Sequence, residues 1–111
     1  MDLQIKRVIL FTSDMAGMTA FYGQVIGLTP VSRSEGWTEF AAGGCNLALH
    51  AGPGAPGKRP PKLVFYAADV AAGRAALVKR GAKLGPVKSA GSFDLCDGKD
   101  PDGNPFQLSS R

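Results

Sequence analysis

With 111 residues, 44% of them hydrophobic, the chain is long enough for one packed domain and too apolar to remain disordered. Its formal net charge of +4 comes from 13 basic and 9 acidic residues. The basic ones are scattered, with no basic arm and no interleaving with aromatics, which argues against a nucleic-acid partner. No apolar run approaches the roughly 20 residues that cross a bilayer, so no membrane partner is expected.

Taken in order, Arg7–Thr12 is a short run of strand formers. Ser13 and Asp14 follow, with side-chain oxygens suited to the orphan N–H groups that open a helix. Met15, Met18, Phe21, Tyr22, Val25 and Ile26 then recur at spacings of three and four, one apolar stripe on a helix. Gly27 offers the left-handed residue that ends it, and Leu28 packs back. Thr29–Ser34 reads as a weak strand with Pro30 at an edge or start, and Glu35-Gly36 as a turn. Trp37–Ala41 and Cys45–His50 flank Ala42-Gly43-Gly44, a loop of hairpin length.

Residues 51–61 are dense in glycine and proline, a surface connection between modules. A second unit then opens with Lys62–Ala67, capped by Asp69 before a helix to about Arg80 that stops at Gly81. Both Lys62 and Asp69 lie 55 residues after their counterparts Arg7 and Asp14. A weak strand is expected at Ala82–Val87, a turn at Lys88–Gly91 and a strand at Ser92–Asp97. Gly98–Asn104 carries turn chemistry, and Pro105–Ser109 is the last strand. The order β-α-β-β-β thus occurs twice, in modules of about 1–52 and 62–111 that build a single domain over 1–111. One helix per module beside antiparallel strands is an α+β arrangement.

The opening MDLQIKRVILF lacks the charged start and cleavage site of a secretory signal. A cytoplasmic location is therefore expected, with Cys45 and Cys96 as reduced thiols. Neither has a neighbouring His or a Cys-x-x-Cys spacing, so packing is the simpler role for both.

Several features together resemble the vicinal oxygen chelate superfamily, which holds glyoxalases, bleomycin-resistance proteins and extradiol dioxygenases. They are the strand ending in Ser13-Asp14, Phe21-Tyr22 followed by Gly27-Leu28, Gly43-Gly44 in the hairpin, Leu47–His50, and above all Asp100-Pro101-Asp102-Gly103-Asn104 before the last strand. The resemblance implies two βαβββ modules with curved mixed sheets forming a cavity. In catalytic members it implies a divalent metal held from four strand positions and acting as a Lewis acid. Those positions fall here on Arg7, Ala48, Lys62 and Gln107. Arg and Lys repel a cation, Ala has no donor, and a lone amide oxygen is a poor ligand. With His50 the only histidine, no metal and no other cofactor are expected.

Strand alternation puts Arg7 and Phe11 on one face, and Lys62 and Tyr66 on the equivalent face of the second module. Together with Trp37, His50 and Gln107 they are the candidate ligand-binding residues. Two cations would suit an anion, and the rings would cover apolar parts of a small molecule. The simpler alternative for Arg7 and Lys62 is a side chain reaching solvent at a strand start. His50 and Glu39 are the candidates for acid–base work, though His50 equally anchors a loop. The hairpin register stays open, so Trp37 and Glu39 face either side, and Trp37 equally fills a core or a dimer contact. Three readings compete: a metal-free binding protein, an enzyme of the same superfamily (lyase, dioxygenase or His50-based catalyst), and a structural homodimer. The metal-free binder is preferred. A homodimer is expected in any case, because open sheet edges favour pairing of chains.

Overall fold

The computed structural model describes residues 1–2 and 4–111. The chain divides into two compact units, Met1–Ala55 and Pro56–Arg111. The first holds β1 (Arg7–Thr12), α1 (Met15–Ala20), β2 (Thr29–Ser34), β3 (Trp37–Ala41) and β4 (Asn46–Ala51). The second holds β5 (Leu63–Tyr66), α2 (Val70–Lys79), β6 (Lys88–Ser89), β7 (Asp94–Lys99) and β8 (Pro105–Ser109). Each unit carries a four-stranded mixed sheet, in the order β1-β4-β3-β2 and β5-β8-β7-β6. In both, the first and last strands of the unit pair in parallel and the other neighbours are antiparallel. The repeat is therefore one of topology: two βαβββ modules in an α+β fold.

Local chemistry explains the helix ends. Asp14 accepts a hydrogen bond from the Gly17 N–H at 3.0 Å, and Asp69 accepts one from the Ala72 N–H at 3.0 Å. Each cap is worth about 1 kcal/mol. The first helix departs from the sequence expectation of one continuous α-helix. After Ala20 it widens into a π-helical segment, Phe21–Val25, with the Ile26 N–H donating to Phe21 O at 2.9 Å. The Leu28 N–H then reaches back to Tyr22 O, and Gly27 takes φ 90° to allow it. The widened turn leaves both Phe21 and Tyr22 buried, their rings edge to face at 5.1 Å.

In the first unit Met18, Tyr22, Phe40, Leu47 and Leu49 form the core between helix and sheet. In the second the same layer is Val70, Leu77, Cys96, Phe106 and Leu108. Burial also holds the Cys96 thiol above its ordinary pKa, which fits a packing role.

Three expectations need correction. Ala82–Val87 is not a strand; it contributes one isolated bridge, Leu84 to Gly98, because Pro86 cannot donate to a ladder. Pairing resumes instead at Lys88–Ser89, where a turn was expected. Finally, β4 and β7 lie one to two residues later than expected, at Asn46–Ala51 and Asp94–Lys99.

The Asp-Pro-Asp-Gly-Asn segment is a structural turn. The buried Asp100 accepts from the N–H groups of Asp102 and Asn104, each at 2.9 Å, while Gly103 takes φ 87°. This geometry fixes Lys99 opposite Pro105, and through them the whole β7–β8 register.

Candidate functional site

Only one face of the first sheet is covered by its helix. Register decides what the other face displays. Phe11 pairs with His50, and His50 with Trp37, so three ring side chains form a row across β1, β4 and β3. Phe11 and His50 lie 5.3 Å apart at 60°, and His50 and Trp37 lie 5.7 Å apart nearly edge to face. His50 Nδ1 sits 2.8 Å from Ala51 O. A carbonyl only accepts, so Nδ1 carries a proton, and in the neutral ring the lone pair is on Nε2. The imidazole is thus fixed in ring plane and tautomer, with a proton acceptor on its outer nitrogen.

Four residues along β1, a distance of about 13 Å at strand rise, lies a polar station. Glu39 is only 6% exposed and points to this face. Its carboxylate accepts from Asn46 Nδ2 at 2.7 Å and from Arg7 Nε at 3.2 Å to each oxygen. The Asn46 bond and the Arg7 guanidinium hold Glu39 below the usual carboxylate pKa, against the opposing effect of burial. A carboxylate held ionised with both oxygens engaged is a weak general base. No hydrogen bond among the described residues joins it to His50. The two acid–base candidates therefore share a face without forming a pair.

The second unit repeats the polar station with different atoms. Asp97 accepts from Gln107 Nε2 at 2.9 Å and from Lys62 Nζ at 3.0 Å. The Gln107 bond and then Lys62 lower its pKa, again against burial. Asp97 lies opposite Gln107 across β7–β8, and Val64 lies opposite Gln107 across β5–β8. No aromatic row accompanies this station: Tyr66 pairs with Ser109, which pairs with Leu95, and Tyr66 stands 71% exposed.

Arg7, Phe11, Trp37 and His50 thus share one open face in the first unit, while Lys62, Tyr66 and Gln107 share the equivalent face of the second. Each of the two cations expected on these faces has its own carboxylate partner. Asn46 and Asp97 went unrecognised in the sequence as members of these stations. The turn at Asp100–Asn104 held the signal for Asp97, since counting back from Lys99–Pro105 places it opposite Gln107.

The residues at the four positions implied for a metal do not fit one. Arg7 and Lys62 are cations bound to carboxylates, Ala48 has no donor atom, and the Gln107 amide is engaged with Asp97. Among the described residues there is no group of three or more His, Cys, Asp or Glu able to hold an ion.

On the helix side of the first unit runs a separate open groove of about 580 Å³, whose walls include Met15, Thr19, Gly23, Arg33, Thr38 and Phe40. None of the sequence-derived site residues lines it. Among the described residues, no helix is long and apolar enough to cross a membrane.

Comparison with known proteins came to the same architecture. A family model described as a glyoxalase-like domain matches residues 7–109. No curated protein matches the chain. The solved structure of SMU.1112c is similar with a TM-score of 0.85 and 21% identity, over 96% of this chain and 98% of that one. A glyoxalase/bleomycin resistance protein/dioxygenase from Nocardioides gives 0.83 and 19%, over 98% and 83%. Lactoylglutathione lyase from Agrobacterium tumefaciens gives 0.77 and 22%, over 95% and 91%. At these identities the structures establish a shared fold and nothing about substrate.

Proposed function

The chain belongs to the glyoxalase-like domain family, and from that premise we propose that it holds a small aromatic molecule on the open sheet face of its first unit, without a metal ion. The observation that carries this reading is the row Phe11–His50–Trp37. Rings at 5.3 and 5.7 Å present an apolar, polarisable surface, and Phe11 is still 54% exposed. Large apolar side chains left open beside a polar station are the usual make-up of a ligand site. Donor chemistry supports the absence of a metal: the positions that the family resemblance implies carry two paired cations, an alanine and an engaged amide.

Trp37 is the only tryptophan, so its fluorescence reports on this face alone. A thermal-shift screen of aromatic compounds, followed by titration against Trp37 emission, is expected to give saturable quenching. Phe11→Ala should weaken it. Hits that bind without disturbing Trp37, or binding indifferent to Phe11→Ala, would refute the placement. Metal analysis of the purified protein should find no stoichiometric divalent ion; zinc, nickel, manganese or iron at one per chain would restore the metalloenzyme reading.

A second reading has one specific observation behind it. His50 Nε2 is a free proton acceptor in a fixed tautomer between two rings, which suits metal-independent proton abstraction from a stacked substrate. Turnover of a screened ligand that His50→Gln abolishes while leaving its binding intact would favour the enzyme. We also hold the homodimer as a proposal, supported by exposed Val31, Val64 and Tyr66 on edge strands or open faces; sedimentation at micromolar concentration tests it.

A further inference from the structure

Resting on the reading just given, we infer that Glu39 is a specificity residue: by cancelling Arg7 it makes the first unit's open face select uncharged aromatic molecules bearing a carbonyl or amide acceptor over aromatic carboxylates. The geometry is that of a cation lying over a buried anion. The Arg7 side chain is 40% exposed, the Glu39 side chain 8%, and the two meet through Nε at 3.2 Å. Glu39 also accepts from Asn46 at Oε2, and burial of its side chain leaves its carboxylate little access to a ligand. Arg7 commits only Nε, and among the described residues nothing takes its two terminal nitrogens. They remain as donors for an incoming acceptor.

Arg7 and Glu39 are the sole ionised pair among the strand residues facing this side. Every other position there is apolar, a hydroxyl, an amide or the His50 imidazole. An acceptor approaching Arg7 therefore meets hydrogen-bond donors whose charge Glu39 offsets, with Lys6, just before β1, the further cation acting on that carboxylate. A carboxylate gains little Coulomb energy there and still loses its hydration, so a neutral carbonyl is the better partner. Removing the Glu39 charge would expose a full guanidinium charge and turn the same face into an anion site.

The test uses three probes of one shape: 2-naphthylacetamide, 2-naphthylacetate and 2-naphthylethylammonium, each titrated by calorimetry and by Trp37 emission. The wild-type protein should bind the amide at least about tenfold tighter than the carboxylate, a difference that modest changes of local charge produce. Raising salt from about 20 to about 300 mM should change the amide affinity less than about twofold, because no net charge is screened. Glu39→Gln should reverse the order and make carboxylate binding salt-sensitive. The double variant Arg7→Gln, Glu39→Gln restores neutrality and should restore the preference for the amide.

A wild-type preference for the carboxylate, or an order unchanged in Glu39→Gln, would overturn the inference while leaving the aromatic site standing. If none of the three probes binds, the ligand reading itself falls and takes this inference with it. Should Glu39→Gln fail to fold, the wild-type ranking and its salt dependence decide alone.

Discussion

The two units are one topology written twice, and their differences separate scaffold from site. Each sets a cation at or just before the start of its first strand, Arg7 or Lys62, and a carboxylate on its third strand, Glu39 or Asp97. Each adds an amide donor, Asn46 or Gln107. What differs is the row beyond: Phe11, His50 and Trp37 in one unit, Tyr66, Ser109 and Leu95 in the other. The carboxylates differ too, the Glu39 side chain being 8% exposed and the Asp97 side chain 45%. The ion pair is thus common to both units, and the aromatic row belongs to the first alone.

The largest expected effect tests whether the two cores are equivalent. Phe40→Ala and Phe106→Ala each empty a fully buried ring site and should each cost about 3–5 kcal/mol in denaturant unfolding. Unequal losses would show that the two cores are not equivalent.

Next in size is the contrast in binding. Trp37→Ala should weaken an aromatic probe by about tenfold in calorimetry, and Tyr66→Ala by less than about twofold. Equal losses would erase the functional distinction between the units.

The helix caps come third. Asp14→Ala and Asp69→Ala should each lower stability by about 1 kcal/mol, with recovery in the Ser variants. An effect confined to one of them would mean that the caps, unlike the topology, are not equivalent.

Smallest are the ion pairs. Asp97→Asn is expected to cost less than about 1 kcal/mol, since both partners are well exposed and screened by solvent. Both carboxylates have pKa values lowered in the folded state. Their stabilisation is therefore complete above the unfolded carboxylate range near about 4 and is lost as pH falls through the lower folded values. Acid unfolding followed in Glu39→Gln and Asp97→Asn should each show a shallower pH dependence than wild type. A wild-type slope in Glu39→Gln would mean that its carboxylate is not selectively stabilised by folding.

Sequence by itself determined whatever is local. Alternation in Arg7–Thr12 and Pro105–Ser109, the caps at Asp14 and Asp69, and the stop at Gly27 each depend on contacts within a few residues of chain. So does the Asp100–Asn104 turn, and the doubled order of elements follows from these pieces. Tertiary structure decided the pairings that cross the chain. Trp37 reaches His50, and Glu39 reaches Arg7, only because helix packing on Leu47, Leu49 and Phe40 turns the alternate residues of β3 and β4 outward. A slip of one residue would send every side chain of a strand to the opposite face, and a Gly-Gly loop alone does not choose between the two registers. The charges of Arg7 and Lys62 were legible; their cancellation was not, because it joins residues 32 and 35 positions apart. Such distant meetings are set by burial of the core, which rewards one register over the other by far more than any surface pair contributes.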